Sequence, residues 1–429
     1  MPHPSCALPA VLAALAGEAP APHPAALVAP AGVGVAAAVR PAPPDSKPIY
    51  GGPIGPRVDT ANFTVQWVEG QATEAQGAAA AAALEEAWAA LVAEGGWPGP
   101  VSSDTYLLWV ILDPSLGGTG FTTVYFTDEY PGGYPVMYLN PTWADNGDFW
   151  ASLAAHEFAH AVQFGMRAWA GTGAESWYWE ASAEWAAERA VPPRDTYAWS
   201  SEWFGSQPQL RYDSMENYHQ YGMFFVNAYA EEALDPEAMR GAWEAGAAAP
   251  GADWAALLSG VVGAAPEALW AEAAAAYAAG ALRESRLYAP IAEMGALAEG
   301  AAGTLPRLGV HAWAVEADAR VEAEGPVWLG GPAGVGPAVE VLAGETLVVV
   351  GAADDAAYTL RVGPPGGGAD TGGVGGDAGG GGGDGLAGAP GGDDKAAGAG
   401  CAGAGSAASA VLAALAALGV SGRRRRRAG

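Results

Sequence analysis

The chain has 429 residues, 51% of them hydrophobic, and this length predicts two or three domains with ample core. Its formal net charge of -28 argues against a nucleic-acid-binding protein, because contacts with phosphates require basic surface. The two cysteines, Cys6 and Cys401, lie near opposite ends of the chain, so we expect no disulfide in its folded body.

The first 47 residues have the composition of a leader followed by a linker. An apolar run from Leu8 to Ala16 precedes small residues around Ala19–Ala21, as in the later part of a secretory signal. The basic residues that normally precede such a run are missing, so an Ala/Pro-rich leader without a targeting role is the alternative. Residues 22–47 are rich in alanine and proline, which is typical of a linker.

Residues 48–150 show the pattern of an α/β subdomain. The alternation in Asn62–Val68 predicts a strand, and the Ala/Leu/Glu-rich segment Ala72–Glu94 predicts a helix. Three further apolar segments predict strands, at Tyr106–Leu112, Thr122–Phe126 and Val136–Leu139. We therefore expect a mixed sheet in front of the next helix.

The following segments change from helical to strand patterns. Residues 151–303 are mostly helical by pattern, with breaks at Pro192-Pro193, Asp235-Pro236 and Pro250-Gly251. Residues 304–363 contain short strands such as Ala338–Leu342 and Thr346–Val350, and we expect them to form a small all-β module. The predicted fold class is therefore α+β.

The segment His156-Glu157-Phe158-Ala159-His160 is an HExxH motif at the start of the helical region. Residues four apart share a face of a helix, so the two imidazoles can bind one metal ion and Glu157 can serve an activated water. Asp148 is the predicted N-cap of this helix. Phe149, Leu153 and Phe164 recur at helical spacing with the histidines, which predicts that this face points inward.

A catalytic zinc usually takes three protein ligands, so a third ligand is expected downstream. In the metzincin class of metallopeptidases, a glycine and a third histidine follow the motif at fixed offsets. In this chain those offsets hold Gln163 and Met166, which excludes the metzincin class. Glu180, Glu184 and Glu188 are spaced by four and predict one acidic helix face. Such a face is commonly solvated, but the tryptophans that bracket it, Trp177, Trp179 and Trp185, favour a face turned toward a cation.

With HExxH and Glu180 twenty residues after His160, the chain resembles the gluzincin metallopeptidases, the thermolysin-like group. The resemblance covers about 35 residues and implies a zincin-like domain with Zn2+ held by His156, His160 and Glu180. It also implies that Glu184 holds one of the histidines in place. Glu184 is the second choice as third ligand and Glu175 the next. The same segments are similar to uncharacterised metallopeptidases of predatory soil bacteria.

The chemistry expected of such a site is hydrolysis of a peptide bond. Glu157 would take a proton from the water and pass it to the leaving amine. The resemblance implies an oxyanion donor from the segment around residue 220, where both His219 and Tyr221 qualify, and a buried structural role is the alternative for either. Zincins bind peptide along an edge strand, for which Val136–Leu139, with Pro135 at its start, is the first choice. His311 is assigned a structural role.

The end of the chain has three parts in order. Residues 364–405 form a Gly/Asp-rich linker that is expected to be disordered, and residues 406–429 contain an apolar stretch, Ser406–Val420, followed by Arg423–Arg427. This layout resembles sorting signals of the MYXO-CTERM type, which implies processing near Cys401 and retention at the cell surface. A plain membrane anchor is the alternative.

These observations together predict an exported, surface-attached zinc metalloendopeptidase that acts as a monomer on a peptide or protein substrate and touches the membrane through its tail. Two alternatives stay open. One is a catalytically inactive surface binding protein on a zincin scaffold, although an intact Glu157 does not favour it. The other is an aminopeptidase, which would need an acidic group for the free amine of the substrate.

Overall fold

The computed structural model describes residues 40, 55–126, 132–168, 175–192 and 197–366. The predicted leader and linker, apart from Arg40, lie outside the described residues, as do the chain beyond residue 366 and Pro193. The described chain is a mixed α+β structure, which confirms the predicted class.

The N-terminal part forms a five-stranded sheet. Its elements are β1 (Arg57–Asp59), β2 (Phe63–Trp67), α1 (Glu74–Trp88), β3 (Leu108–Leu112), β4 (Gly120–Tyr125) and β5 (Tyr134–Leu139). The strand order is β1-β2-β3-β5-β4. The three central strands β2, β3 and β5 are parallel, and the two outer strands β1 and β4 are antiparallel to their neighbours.

The predicted edge strand is wrong. Val136–Leu139 lies in β5, which pairs with β3 on one side and β4 on the other, so β4 is the outer strand. The reason is that β4 forms an antiparallel hairpin with β5, while β5 itself continues the parallel part of the sheet. Pro135 lies opposite Val124 within this hairpin. Any peptide that extends the sheet here would therefore align with β4.

One face of this sheet packs against helices α1 and α2. Helix α2 (Gly147–Met166) begins after Asn146, whose side chain accepts a hydrogen bond from the amide of Phe149 at 3.4 Å. The predicted cap, Asp148, lies instead in the first turn, where its carboxylate interacts favourably with the helix dipole. The helix contains both histidines of the motif, and both point toward the neighbouring helix α3.

The central region is helical as predicted, with breaks at Asp235-Pro236 and Pro250-Gly251. Its helices are α3 (Ser176–Ala190), α4 (Tyr197–Ser206), α5 (His219–Gly222), α6 (Phe224–Tyr229), α7 (Ala238–Ala248), α8 (Trp254–Val262) and α9 (Pro266–Ala278). In the described part of the chain, no single helix combines the length and hydropathy of a membrane span; α8 and α9 reach them only as a pair bent by 82°.

The β module consists of two sheets packed face to face. Its strands are β6 (Glu293–Ala296), β7 (Ala302–Leu305), β8 (Val310–Ala314), β9 (Ala319–Glu324), β10 (Val327–Gly331), β11 (Gly334–Gly336), β12 (Ala338–Val341), β13 (Thr346–Gly351) and β14 (Ala356–Gly363). One sheet has the order β11-β10-β13-β8-β6 and the other β12-β9-β14-β7. The first strand starts at Glu293, before the predicted boundary at 304, and the outer face of the larger sheet packs on α9.

His311 lies inside this module and is buried. Its Nδ1 is 2.8 Å from the hydroxyl of Tyr358, which also accepts a hydrogen bond from Nε1 of Trp313 at 3.2 Å. These contacts support the structural role expected of His311.

We predict opposite effects of alanine at two helical glycines. A Cβ on Gly77, in α1, would lie 2.4 Å from the ring of Trp67, whereas one on Gly260, in α8, would meet nothing within 4 Å. Gly77→Ala should lower the free energy of unfolding by about 1–3 kcal/mol through overpacking. Gly260→Ala should raise it by up to about 1 kcal/mol through helix propensity. Urea denaturation measures both changes in the free energy of unfolding. Equal changes at the two positions would contradict the difference in packing between Gly77 and Gly260.

Candidate metal centre

The packing of α2 against α3 brings three donor atoms together. Nε2 of His156 lies 3.1 Å from Nε2 of His160 and 3.2 Å from Oε2 of Glu180. The remaining distance, from Nε2 of His160 to Oε2 of Glu180, is 3.4 Å. His156 and His160 lie one turn apart on α2, and Glu180 faces them from the first turns of α3. This buried group can hold a metal ion.

The electrostatics of the group are those of a cation site. Burial opposes a charge on His156, but Glu180 and Glu184 outweigh it and raise its pKa well above the usual range. Burial likewise opposes the charge of Glu180, but both histidines outweigh it and lower the pKa of that carboxyl strongly. The carboxylates therefore stabilise positive charge between these side chains, and a metal ion can take the place of the proton.

The outer nitrogen of His156 is held by Glu184. Nδ1 of His156 lies 3.1 Å from Oε1 of Glu184, and the hydroxyl of Ser200 donates a hydrogen bond to Oε2 of the same carboxylate. A carboxylate in this position favours the tautomer with the hydrogen on Nδ1, which leaves the lone pair of Nε2 for the centre. The placement of Glu184 agrees with the role that the sequence resemblance implies.

The outer nitrogen of His160 is held by Gln163. Nδ1 of His160 is 2.7 Å from Oε1 of Gln163. The amide nitrogen of Gln163 donates to the carbonyl of Trp179 at 3.1 Å and to Oγ of Ser182 at 3.0 Å. Because both donations come from the amide nitrogen, Oε1 of Gln163 is the acceptor and Nδ1 of His160 the donor. Gln163 thus ties α2 to α3 and orients the second histidine.

Glu157 points from α2 toward strand β4. The hydroxyl of Thr122 donates to Oε2 of Glu157 at 2.7 Å. A Cβ on Gly120 would lie 2.9 Å from the carbonyl oxygen of Tyr138 and 3.0 Å from Oε1 of Glu157, so a side chain here would crowd this carboxylate. Burial raises the pKa of Glu157, and His160, His156 and the Thr122 hydrogen bond oppose that rise. A raised pKa suits a group that accepts and returns a proton.

The two candidate oxyanion donors differ in position. Tyr221 lies beside the centre, with its ring centroid 5.9 Å from that of His156. Burial, with the nearby Glu180, Glu184 and Glu157, raises the pKa of Tyr221 well above its usual value, so its hydroxyl stays protonated. His219 instead packs near Phe204 and hydrogen-bonds to the backbone of Trp203. Of the two residues, Tyr221 is therefore the one that lies beside the donor group.

The other acidic residues of α3 have different surroundings. Glu188 accepts a hydrogen bond from the backbone amide of Tyr197, and Glu175 is the buried residue just before α3. Neither belongs to the group of three donors.

Three polar residues of the site were not singled out by sequence reasoning, namely Thr122, Gln163 and Ser200. In the sequence, Gln163 is notable only because it occupies an offset at which metzincins have a characteristic residue. Its spacing of three residues from His160 is the one signal that it could contact that histidine. Thr122 and Ser200 lie on β4 and α4, far from the motif in sequence, so no local pattern indicates them.

Comparison with protein-family models, with characterised proteins and with solved structures finds no match for this chain. The function is therefore argued from the donor atoms and their surroundings.

We predict that His219 makes stability depend on pH. Burial lowers the pKa of His219 to about 4, from a usual 6.5, and the backbone hydrogen bond to Trp203 only partly opposes this. The folded state then binds fewer protons than the unfolded state, so stability is full above pH 6.5 and falls as pH drops toward 4. The loss should reach about 3 kcal/mol.

His219→Gln, which cannot take up a proton, should remove this part of the pH dependence. Chemical denaturation at several pH values between 4 and 7 gives the free energy of unfolding of both proteins. Subtracting one curve from the other removes the contribution of the carboxylates, which both proteins share. Parallel curves for wild type and variant would contradict the assignment.

Proposed function

We propose that this chain is a zinc-dependent metalloendopeptidase with a zincin-like catalytic domain. The observation that carries the proposal is the triangle of donor atoms with edges of 3.1, 3.2 and 3.4 Å. Three ligands around a tetrahedral zinc, at bond lengths of about 2.0 Å, lie roughly 3.3 Å apart. Two histidines and a glutamate also leave a fourth position free, as catalytic zinc sites do.

The environment of the triangle supports catalysis over a purely structural role. A structural zinc is typically closed by four protein ligands, often cysteines, whereas this group has three and no cysteine. Glu157, whose pKa is raised, interacts electrostatically with both histidines and Glu180, and the protonated Tyr221 lies beside His156. A general base and a hydrogen-bond donor next to the ligands are the groups that amide hydrolysis requires.

In the proposed reaction, bound zinc supplies a Lewis acid that lowers the pKa of a water and polarises the substrate carbonyl. Glu157 accepts the proton of the attacking water and returns it to the leaving amine. Thr122 keeps the Glu157 carboxylate oriented through the hydrogen bond to Oε2. Tyr221 donates its hydroxyl hydrogen to the oxygen that gains negative charge at the reacting carbon.

Strand β4 supports an endopeptidase. Its inner edge pairs with β5, and in the described part of the chain no strand pairs with its outer edge. Main-chain pairing along this edge would hold an extended peptide next to Glu157, whichever side chains it carries. Because such pairing continues on either side of the cleaved bond, it suits an internal peptide bond. Export and surface attachment rest on the sequence of the leader and the tail alone.

The proposal is tested by zinc content and by hydrolysis of casein. Wild type should carry one zinc per chain and cleave casein. Glu157→Gln should keep the zinc and lose activity by about 10²–10⁴-fold, since it removes only the base. Glu180→Gln should lose zinc as well, and Glu188→Gln, a change on the same helix outside the donor group, should lose neither. Zinc-loaded wild type that hydrolyses no member of any peptide library would contradict the proposal.

A second test addresses the residue that orients His160. Gln163→Leu should weaken zinc binding about 10–100-fold, because His160 loses the acceptor at Nδ1. Competition with a chromophoric chelator measures the affinity. Gln66→Leu, a buried glutamine of β2, is the matched control and should bind zinc as wild type does. Unchanged affinity in Gln163→Leu would show that the hydrogen bond has no part in holding the metal.

A further inference from the structure

Arg40 is the one residue described among the first 54, and its side chain lies on the folded body. Its guanidinium donates hydrogen bonds to the carbonyl of Ser103, to the carbonyl of Ala61 at 2.8 Å and to Oδ1 of Asn62. The guanidinium also lies over the ring of Trp88, with Cζ 5.5 Å from the ring centroid. We call these three oxygens and this ring the guanidinium site.

The groups of the guanidinium site come from three separate segments of the N-terminal part of the fold. Ala61 and Asn62 precede β2, Ser103 precedes β3, and Trp88 is the last residue of α1. Because the sheet and α1 hold these segments in place, the three acceptors and the ring are already positioned for a ligand. Such preorganisation lowers the entropy cost of binding.

Asn62 is oriented by Glu85 of α1. The backbone amide of Asn62 donates to Oε1 of Glu85 at 2.8 Å, and its Nδ2 donates to Oε2 at 2.6 Å. Since the amide nitrogen is engaged by the carboxylate, the side chain presents its Oδ1 to Arg40. The Asn62 amide thus lies between a negative and a positive group, and both polarise it in the same direction. Charge-assisted hydrogen bonds of this kind are stronger than neutral ones.

The ring of the guanidinium site packs behind the helix that carries the HExxH motif. The ring centroid of Trp88 lies 5.8 Å from that of Phe158 and 6.2 Å from that of Phe63. Phe158 is a buried residue of α2, and Phe63 begins β2. The guanidinium site is therefore continuous with the core between the sheet and α2.

We propose that the guanidinium site is specific for an arginine side chain and that, through it, Arg40 anchors the segment before β1 to the folded body. This proposal is independent of the proposed peptidase function. A planar guanidinium can donate to several oxygens and stack on a ring at the same time, whereas the ammonium of lysine is a single point charge. Removal of the predicted leader near Ala21 would leave this anchor in the mature chain.

Reaction of the full chain with phenylglyoxal, which modifies accessible guanidinium groups, tests the proposal. Peptide mapping by mass spectrometry gives the reaction rates of Arg40 and of Arg57, whose side chain is 50% exposed. Arg40 should react at least about tenfold more slowly than Arg57, because each hydrogen bond of a charged group favours the bound state by about tenfold or more.

Two variants change the guanidinium site and leave Arg40 itself intact. Asn62→Ala removes the Oδ1 acceptor and should bring the rate of Arg40 close to that of Arg57. Glu85→Gln removes the carboxylate that orients Asn62 and should also raise the rate of Arg40. Asn227→Ala, at a buried asparagine of α6, is the matched control and should leave Arg40 protected. Circular dichroism shows whether each variant is folded.

Equal rates for Arg40 and Arg57 in the wild-type protein would overturn the proposal, and this comparison depends on no variant. Protection of Arg40 that persists in both folded variants would also overturn it, because the guanidinium would then be held by other groups.

Discussion

The site depends on one contact, the packing of α2 against α3. The two histidines lie on α2, and the third donor, Glu180, lies on α3. The three donor atoms therefore stay close together only while the two helices keep their relative rotation and separation. Gln163 fixes that relation, because its amide joins His160 to the carbonyl of Trp179 and to Ser182 on the other helix. Ring contacts across the same interface, such as Phe164 with Trp179 at 4.9 Å, add apolar packing.

Burial gives this interface its chemical character. His156, Glu157 and Glu184 are nearly inaccessible to solvent, so their charges are poorly hydrated and must be balanced by one another or by a cation. Two carboxylates share His156, one at each ring nitrogen, and together they outweigh the cost of burying a positive charge. The two carboxylates leave buried negative charge around the two imidazoles. A divalent cation would balance this charge.

The sheet contributes the other half of the proposed mechanism. Strand β4 supplies Thr122 to orient Glu157 and, at Gly120, the space that this carboxylate occupies. In the described part of the chain no strand pairs with the outer side of β4, and this strand contacts α2. The proposed base, the proposed oxyanion donor and the strand proposed to align a peptide thus come from three distant segments, each held by its own packing.

Much of the site was predictable from the sequence, because its key spacings lie within single helices. The i, i+4 relation of His156 and His160, the position of Glu157 between them and the acidic face that contains Glu180 and Glu184 follow from helical periodicity alone. Alternation and apolar runs likewise predicted four strands of the N-terminal sheet and two strands of the β module, although Asp148 was misplaced as the cap. The sequence by itself determined the two histidines, the acidic helix face that supplies the third donor, and the class of secondary structure. Only the tertiary structure decided which strand forms the edge, that Tyr221 rather than His219 lies beside the three donor residues, and that Gln163, Thr122 and Ser200 surround this group. These relations join segments far apart in the chain, and they follow from how helices and strands pack rather than from any local pattern.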